Sequence, residues 1–393
     1  MTSIPIRRSV DELMADARQT AGVDIVDDEI VEPLTVLHEA LCDDRARLDE
    51  EGSRAFEQRL LRLLVNRLRM QRDVERHPEI LDQVIDGPII VTGAARSGTT
   101  KLQKVLAASG DVNHLTLWQA LNWGSVTGEP DEPTEARIAE ADDFCRWFDT
   151  RSPEVRLGHR FEALEPEEDG FLSEGCFVSS TPLGYVEIPT YGRWLAGQPR
   201  TVRFEFQRDV MKYLQWQGLA RADRPWVLKC PSYLSQELDL LEVFPDATFV
   251  VAHRSPLETI PSMCKLLECF HTAYGDSTPT TRHALANTAW VLDTHLANRA
   301  ARPELPVLDL RFEDIVGDLP AAVDRIYDHA DMALSDQARA NMLRWDDEHT
   351  MHELGRFEYS LEQYGLDADQ IRSTLRDYFE LIESLPPPRG LDG

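Results

Sequence analysis

The sequence predicts an α/β fold with three layers, in which helices cover both faces of a mainly parallel sheet. Short apolar runs near residues 89–92, 226–229, 247–252 and 306–310 have the length and composition of buried strands. Stretches with apolar residues at three- and four-residue spacing separate these runs, as expected for amphipathic helices. The first run ends in a glycine-containing turn that leads straight into another helical stretch.

The chain of 393 residues is expected to form a main α/β domain over residues 86–393, with a helical extension over 1–85 that packs on it. Within the main domain, residues 118–216 are rich in aromatic side chains. Near the C-terminus, the stretches 320–345 and 361–385 have helical periodicity. Ligands of parallel sheets bind beyond the carboxyl ends of the strands, so the loops there are the first candidates for a functional site.

The loop after the first strand has the spacing of a phosphate-binding loop. Gly93 and Gly98 are separated by four residues, and a helix follows whose N-terminal N–H groups would converge on an anion. Thr99 and Thr100 occupy the positions where nucleoside triphosphatases carry Lys and Ser/Thr, and the cation is instead Arg96, inside the loop. This pattern indicates a phosphate-bearing ligand other than a nucleoside triphosphate with magnesium. An ordinary strand–turn–helix junction is the alternative.

A second strand ends in a cation and favours the phosphate interpretation. Arg254 follows the apolar run at 247–252, and Ser255 and Pro256 predict the start of a helix. Ser262 lies eight residues after Arg254, two turns into that helix. A guanidinium offers a planar pair of donors that suits phosphate, and a hydroxyl can complete the cage.

A third strand, near 226–229, ends in Lys229. Because the carboxyl ends of parallel strands meet at one edge of the sheet, we expect Lys229 to point toward the same crevice as the two loops. A surface lysine at the end of a strand is the alternative.

These motifs resemble those of the sulfotransferases that use 3′-phosphoadenosine-5′-phosphosulfate (PAPS). In that family a [K/R]-S-G-T-T loop holds the 5′-phosphosulfate, an Arg and a Ser eight residues later hold the 3′-phosphate, and a strand lysine contacts the transferred group. The resemblance implies a P-loop-like fold of the bacterial type, PAPS as cosubstrate, 3′-phosphoadenosine-5′-phosphate (PAP) as product, and no metal. It assigns cofactor binding to Arg96, Ser97, Gly98, Thr99, Thr100, Arg254 and Ser262, and catalysis to Arg96 and Lys229.

The catalytic base requires a separate assignment. The cytosolic branch of the family has a histidine two residues after the strand lysine, and Pro231 stands at that position here. The segment Leu164–Leu172 resembles the P-x-E-[D/C] segment of other branches, in which a glutamate takes the acceptor's proton, and that position is Glu168. His159 is the second candidate. The alternative is a solvated acidic run, in which Asp169 caps the following apolar stretch.

Composition restricts the partners and the compartment. The net charge of −28 argues against nucleic acid and anionic membranes, which require a basic surface. No apolar run approaches the ~20 residues of a spanning helix, and no signal peptide is evident at the start. The six scattered cysteines predict reduced thiols in a cytoplasmic protein. His349 and His352 lack a third fixed ligand, so no metal site is expected.

The aromatic-rich stretch 118–216 fits the insertion that walls the acceptor pocket in the resembled family, and it predicts an apolar pocket for the acceptor. Packing of these aromatic side chains in the core is the alternative. We therefore expect a small or lipid-like alcohol or phenol, because the acidic segment around Glu168 disfavours an anionic acceptor. A phosphate-loop kinase and a nucleotide-binding module without turnover are the alternative functions. The sequence leaves open whether the chain forms a homo-oligomer.

Overall fold

The computed structural model describes residues 3–276, 283–349, 355 and 357–386. Its described part is mostly helical and contains one sheet of four strands. All strand pairs are parallel, in the order β2-β1-β3-β4. The predicted α/β class with a parallel central sheet is confirmed. The strands are β1 (Ile89–Gly93), β2 (Val227–Lys229), β3 (Thr248–His253) and β4 (Val307–Arg311).

The helices of the described residues are numbered in chain order. They are α1 (Val10–Ala21), α2 (Val31–Leu41), α3 (Glu50–Arg76), α4 (Thr99–Ala108), α5 (Leu117–Leu121), α6 (Glu135–Arg151), α7 (Val155–Gly158), α8 (Pro189–Leu195), α9 (Thr201–Trp216), α10 (Glu237–Val243), α11 (Pro256–Tyr274), α12 (Ala284–Ala301), α13 (Phe312–Gly317), α14 (Leu319–His329), α15 (Asp336–Glu348), α16 (Ala368–Thr374) and α17 (Arg376–Ser384). None of them is both long enough and apolar enough to cross a membrane.

The chain divides into two compact units. The helical unit comprises Met1–Ile85, Thr116–Ala222 and Leu267–Thr278, and the sheet unit comprises Asp86–Leu115, Asp223–Leu266 and Pro279–Gly393. The domain boundaries expected from the sequence stay a prediction.

One apolar core cluster of the sheet unit lies on one face of the sheet. Alternate residues of a strand point to opposite faces, so Ile89 and Val91 of β1 share a face with Val250 of β3. These side chains pack with apolar residues of α4, α13 and α14, including Leu106 and Ile326, which are fully buried. This packing fixes the carboxyl ends of the strands, where the predicted site residues lie.

The strand order creates a topological switch point. β1 has β2 on one side and β3 on the other. The chain leaves β1 toward the β2 edge of the sheet and leaves β3 toward the β4 edge, so the two connections run in opposite directions. Open parallel sheets bind ligands in the crevice at such a point. The two loops that carry the phosphate motifs follow these two strands.

The helical unit contains a buried ion pair. The Arg59 guanidinium on α3 donates to both carboxylate oxygens of Glu174, at 2.6 and 2.5 Å, and stacks on the Tyr185 ring 4.5 Å away. Both charged side chains are almost fully buried. A bidentate pair of this kind satisfies groups that would be costly to bury alone.

The helix predicted over residues 320–345 is interrupted. α14 ends at His329, Asp331 adopts a left-handed backbone with φ of 52°, and the Ser335 hydroxyl accepts from the Ala338 N–H to start α15. The stretch 361–385 likewise divides into α16 and α17. Apolar periodicity continues through both breaks, which is why it did not reveal them.

Candidate active site

The loop between β1 and α4 approaches its neighbours closely at both glycines. A Cβ on Gly93 would lie 2.3 Å from the Ala252 carbonyl oxygen of β3, so a side chain has no room there. Gly98 has a φ of +96°, a conformation that favours glycine, and it precedes the first residue of α4. No side chain among the described residues caps this helix start. Its first N–H groups therefore have the arrangement that binds anions at helix N-termini.

Arg96 lies within this loop in a left-handed backbone conformation, with φ of 74°. Its Nε donates to the Ser262 hydroxyl at 3.2 Å, and its carbonyl oxygen accepts from the Arg254 guanidinium at 3.2 Å. The structure therefore brings together the three residues that the sequence assigned to two separate phosphate contacts. Ser262 is buried on α11.

Arg254 is half-buried at the end of β3. Its Nε donates to the Glu258 carboxylate at 2.6 Å, and its guanidinium carbon lies 4.2 Å from the centre of the Phe312 ring. The guanidinium is thus held by an acid, a carbonyl oxygen and an aromatic face.

The three hydroxyl residues of the loop differ in exposure. Thr100 is exposed and Thr99 is buried at the start of α4. The Ser97 hydroxyl is buried and has no hydrogen-bond partner among the described residues, while the Ser97 N–H donates to the Ala94 carbonyl at 3.1 Å. Ser97 therefore helps to shape the turn, and a contact of its hydroxyl with a ligand stays a prediction.

Lys229 is the last residue of β2 and pairs in register with Val91 of β1. Its side chain is almost fully buried, with 1% exposure, so it is not the surface lysine of the alternative interpretation. The Thr92 hydroxyl donates to the Cys230 carbonyl at 3.0 Å and ties the ends of these two strands together.

A buried polar network supports the end of β3. The His253 ring contacts Asp309 of β4 through Nε2 at 2.8 Å and the Tyr378 hydroxyl through Nδ1 at 3.0 Å. Arg299 adds two hydrogen bonds to Asp309, at 2.7 and 2.9 Å. Because a carboxylate only accepts, Nε2 carries the proton and Nδ1 accepts from Tyr378.

The network shifts two pKa values. Burial lowers the pKa of His253 despite the neighbouring carboxylate. Burial by itself would raise the pKa of Asp309, but the hydrogen bonds from His253 and Arg299 hold it well below its usual range. His253 is therefore neutral and Asp309 ionised near neutral pH.

In the helical unit, His159, Glu167 and Glu168 form a cluster in which their ligand atoms lie within 4.8 Å of one another. His159 Nε2 lies 3.0 Å from one Glu167 oxygen, and the Glu168 N–H donates to the other at 2.8 Å. Glu167 is buried and Glu168 half-buried. The segment is therefore not a fully solvated acidic run. Asp169 is also buried and accepts a hydrogen bond from Gln207.

Aromatic rings pack beside this cluster. The His159 ring lies 4.6 Å from Phe161 and 6.1 Å from Phe270, measured between ring centres. Phe148 and Tyr185 extend the group, at 4.8 Å from Phe161 and 5.2 Å from Phe270 respectively. Apolar rings therefore line one side of the cluster formed by His159, Glu167 and Glu168.

Two residues near the candidate sites were given no role from the sequence. Glu167 could not be distinguished from the other acids of its segment, although its position eight residues after His159 was visible. Phe312 opens α13 and belongs to the stretch 311–315, which resembles the Y/F-E-D-L segment of the PAPS-dependent family, but only the fold shows that its ring faces Arg254. The six cysteines are present as thiols. His352 lies outside the described residues.

A family model described as the sulfotransferase family matches residues 88–336. The chain belongs to this family. The match includes the β1 loop, Lys229, Arg254 and Ser262, together with His159 and Glu168. The chain is accordingly a sulfotransferase of the bacterial type.

Mycobacterial sulfotransferases are among its relatives. The omega-hydroxy-beta-dihydromenaquinone-9 sulfotransferase Stf3 of Mycobacterium bovis is 23% identical over 330 residues, covering 78% of this chain and 79% of the relative. The crystal structure of sulfotransferase STF1 from Mycobacterium tuberculosis has a TM-score of 0.78 and 28% identity, covering 95% of this chain and all of that one. STF9 of Mycobacterium avium shares the fold, with a TM-score of 0.81, 24% identity and coverage of 97% and 98%.

Proposed function

We propose that the protein transfers a sulfuryl group from PAPS to the hydroxyl of an apolar, lipid-like acceptor. The observation that carries the proposal is the linkage of the two phosphate motifs at the switch point. Arg254 donates to the Arg96 carbonyl, and Arg96 donates to Ser262. The residues assigned to the 5′-phosphosulfate and to the 3′-phosphate are therefore joined by hydrogen bonds.

The donor set fits a nucleotide with two anionic ends. The uncapped start of α4 and the tight glycine loop suit the 5′-phosphosulfate, which Arg96, Thr99 and Thr100 would also contact. Arg254 and Ser262 suit the 3′-phosphate, because a guanidinium can donate two parallel hydrogen bonds to it. When bound, PAPS supplies the activated sulfuryl group.

The protein's part in the reaction is positioning and charge stabilisation, by analogy with loose phosphoryl transfer. The acceptor oxygen forms a bond to sulfur, the bond from sulfur to the 5′-phosphate oxygen breaks, and PAP leaves with the electron pair. Lys229 and Arg96 would stabilise the negative charge on the sulfuryl and leaving oxygens. The buried position of Lys229 strengthens this electrostatic effect, because little water screens its charge.

We propose that Glu168 is the base that takes the proton of the acceptor's hydroxyl, with His159 as the alternative base. Glu167 supports this assignment because it accepts from the backbone N–H of Glu168 and from His159, and the ligand atoms of the three residues lie within 4.8 Å of one another. The proton lost by the hydroxyl would pass to the carboxylate as the new O–S bond forms.

The proposed acceptor class rests on two observations. The buried Phe161 ring and the half-buried Phe270 ring lie beside His159, and such rings offer a large apolar contact surface. The relative Stf3 is named for a hydroxylated menaquinone, which is a lipid-like alcohol. We therefore propose a prenyl, sterol-like or aryl alcohol or phenol as the acceptor.

An acceptor screen tests the proposal. The purified protein is incubated with PAPS and a panel of hydroxylated prenyl quinones, sterols, aryl alcohols and charged glycans, and products are read by the mass of one added SO₃ group. We expect turnover of apolar alcohols, equal before and after treatment with a metal chelator. Activity lost on chelation and restored by a divalent ion would instead make the His159–Glu167–Glu168 cluster a metal site.

Other outcomes point to the competing functions. Transfer that requires ATP and magnesium would indicate a kinase, and PAP binding without turnover of any acceptor would indicate a nucleotide-binding module. Preferential turnover of charged glycans would contradict the apolar acceptor.

A further inference from the structure

Phe312 lies between the two phosphate motifs of the sheet unit. Its ring centre is 4.2 Å from the Arg254 guanidinium carbon. A Cβ added to Gly98 would lie 3.0 and 3.4 Å from two carbons of the same ring. One aromatic side chain therefore approaches both the loop assigned to the 5′-phosphosulfate and the arginine assigned to the 3′-phosphate.

The backbone of Phe312 is fixed by its surroundings. It opens α13, where the Arg311 N–H donates to the Asp314 carboxylate at 3.1 Å. The Arg311 side chain donates to the Leu385 carbonyl at 2.7 Å, and Ile315 is buried in the core of the sheet unit. The Phe312 ring itself is half-buried and stands outside that core.

We propose that Phe312 is a positioning residue that sets the plane of the Arg254 guanidinium for the 3′-phosphate of PAPS. This proposal rests on the proposed function. A guanidinium stacked on an aromatic face presents its N–H groups in the plane parallel to the ring, which leaves the edge available for a bidentate contact. Hydrogen bonds from the Arg254 guanidinium to the Arg96 carbonyl, at 3.2 Å, and to the Glu258 carboxylate, at 2.6 Å, fix the rotation of the guanidinium within its own plane.

The consequence is selective for the 3′-phosphate. Loss of the ring leaves the Arg254 charge in place but lets its plane rotate, so ligands that lack the 3′-phosphate are little affected. A side chain at Gly98 would press on this ring, in addition to the strain of its φ of +96°.

Calorimetric binding of PAP and AMP tests the proposal with Phe312→Leu, Phe312→Tyr, Arg254→Ala and the Phe312→Leu/Arg254→Ala double variant. We expect Phe312→Leu to weaken PAP binding about fivefold, with AMP binding changed less than about twofold. Phe312→Tyr keeps the aromatic face and should retain the affinity of the unmodified protein. In the Arg254→Ala background, Phe312→Leu should cause no further loss, since it acts through Arg254.

Phe379→Leu is the matched control, because that ring lies 5.3 Å from another guanidinium carbon, that of Arg372. It should leave the ratio of PAP to AMP affinity unchanged. If Phe312→Leu does not fold, as judged by thermal unfolding, Phe312→Met takes its place in the same cycle. Equal losses for PAP and AMP, or additive losses in the double variant, would overturn the positioning role.

The test separates this proposal from the proposed function. If Arg254→Ala leaves the preference for PAP over AMP intact, the 3′-phosphate site itself is wrong. If Arg254→Ala removes that preference and Phe312→Leu does not reduce it, only the role of Phe312 is wrong.

Discussion

At the scale of single residues, the chemistry assigned to this sulfotransferase depends on side chains that other groups hold in place. Arg96 is oriented by Ser262, Arg254 by Glu258, and His159 by Glu167, each through one hydrogen bond of 2.6 to 3.2 Å. Preorganised donors stabilise developing charge without a cost of reorganisation during the reaction. The same arrangement gives each candidate residue a role that a substitution can test.

Glu168→Gln tests the assignment of the base. We expect kcat to fall by about 100-fold or more, because the amide cannot accept the acceptor's proton. Glu162→Gln is the matched control, since Glu162 lies in the same segment but pairs with the half-exposed Arg160 at 2.9 Å. Steady-state kinetics of both variants with the acceptor found in the screen provide the measurement. Unchanged kcat in Glu168→Gln would move the base to His159 or to no side chain.

Motif residues were predictable from the sequence, whereas their supporting partners were not. Arg96, Lys229 and Arg254 lie at or shortly after the ends of apolar runs, so residue type and chain position were sufficient to select them. Glu167 and Phe312 depend on contacts across eight and 58 positions of the chain, with His159 and Arg254. Such contacts are decided by tertiary packing, so even the local resemblance of the stretch 311–315 to the Y/F-E-D-L segment did not reveal the contact of Phe312 with Arg254.

At the scale of the elements, the four strands were predictable because buried parallel strands are continuous apolar runs. Their order was not, since it depends on which strands pair after the chain has folded. The break between α14 and α15 was missed because Asp331 adopts a left-handed conformation that apolar periodicity does not register.

Acid stability tests the network between β3 and β4. Asp309 has a lowered pKa, so its contribution to stability is complete above the ordinary aspartate value of about 4 and is lost as pH falls below it. The lowered pKa of His253 acts in the same direction, because the unfolded histidine gains a proton below about pH 6.5. Both groups therefore make the protein less stable in acid.

Asp309→Asn should reduce the free energy of unfolding at neutral pH by about 3 kcal/mol, because Arg299 loses its carboxylate partner. It should also flatten the decline of that free energy on acidification. Urea unfolding at several pH values measures both effects. Asp324→Asn serves as the control, since Asp324 is half-exposed in its pair with Arg339. A decline parallel to that of the unmodified protein would show that the network does not govern acid stability.

At the scale of the whole molecule, the net charge of −28 opposes the binding of an anionic ligand. PAPS is itself an anion, so binding requires cations to be concentrated locally. The sheet unit supplies Arg96, Lys229 and Arg254, each at or just after the carboxyl end of a strand. The candidate base and the aromatic rings belong to the helical unit. The α/β class and the family were predictable because these strand-end motifs are local in sequence.

The central claim is that strand-end cations of the sheet unit drive sulfuryl transfer from PAPS. Single-turnover transfer by Lys229→Met tests it most directly, with the partly exposed Lys212→Met, whose Nζ donates to the Leu81 carbonyl at 2.7 Å, as the control. We predict that Lys229→Met lowers the rate of transfer by about 100- to 1,000-fold. Its affinity for PAP should change by less than about tenfold, because Arg96 and Arg254 still bind the two phosphates. Transfer from PAPS at the unmodified rate in Lys229→Met would contradict the account.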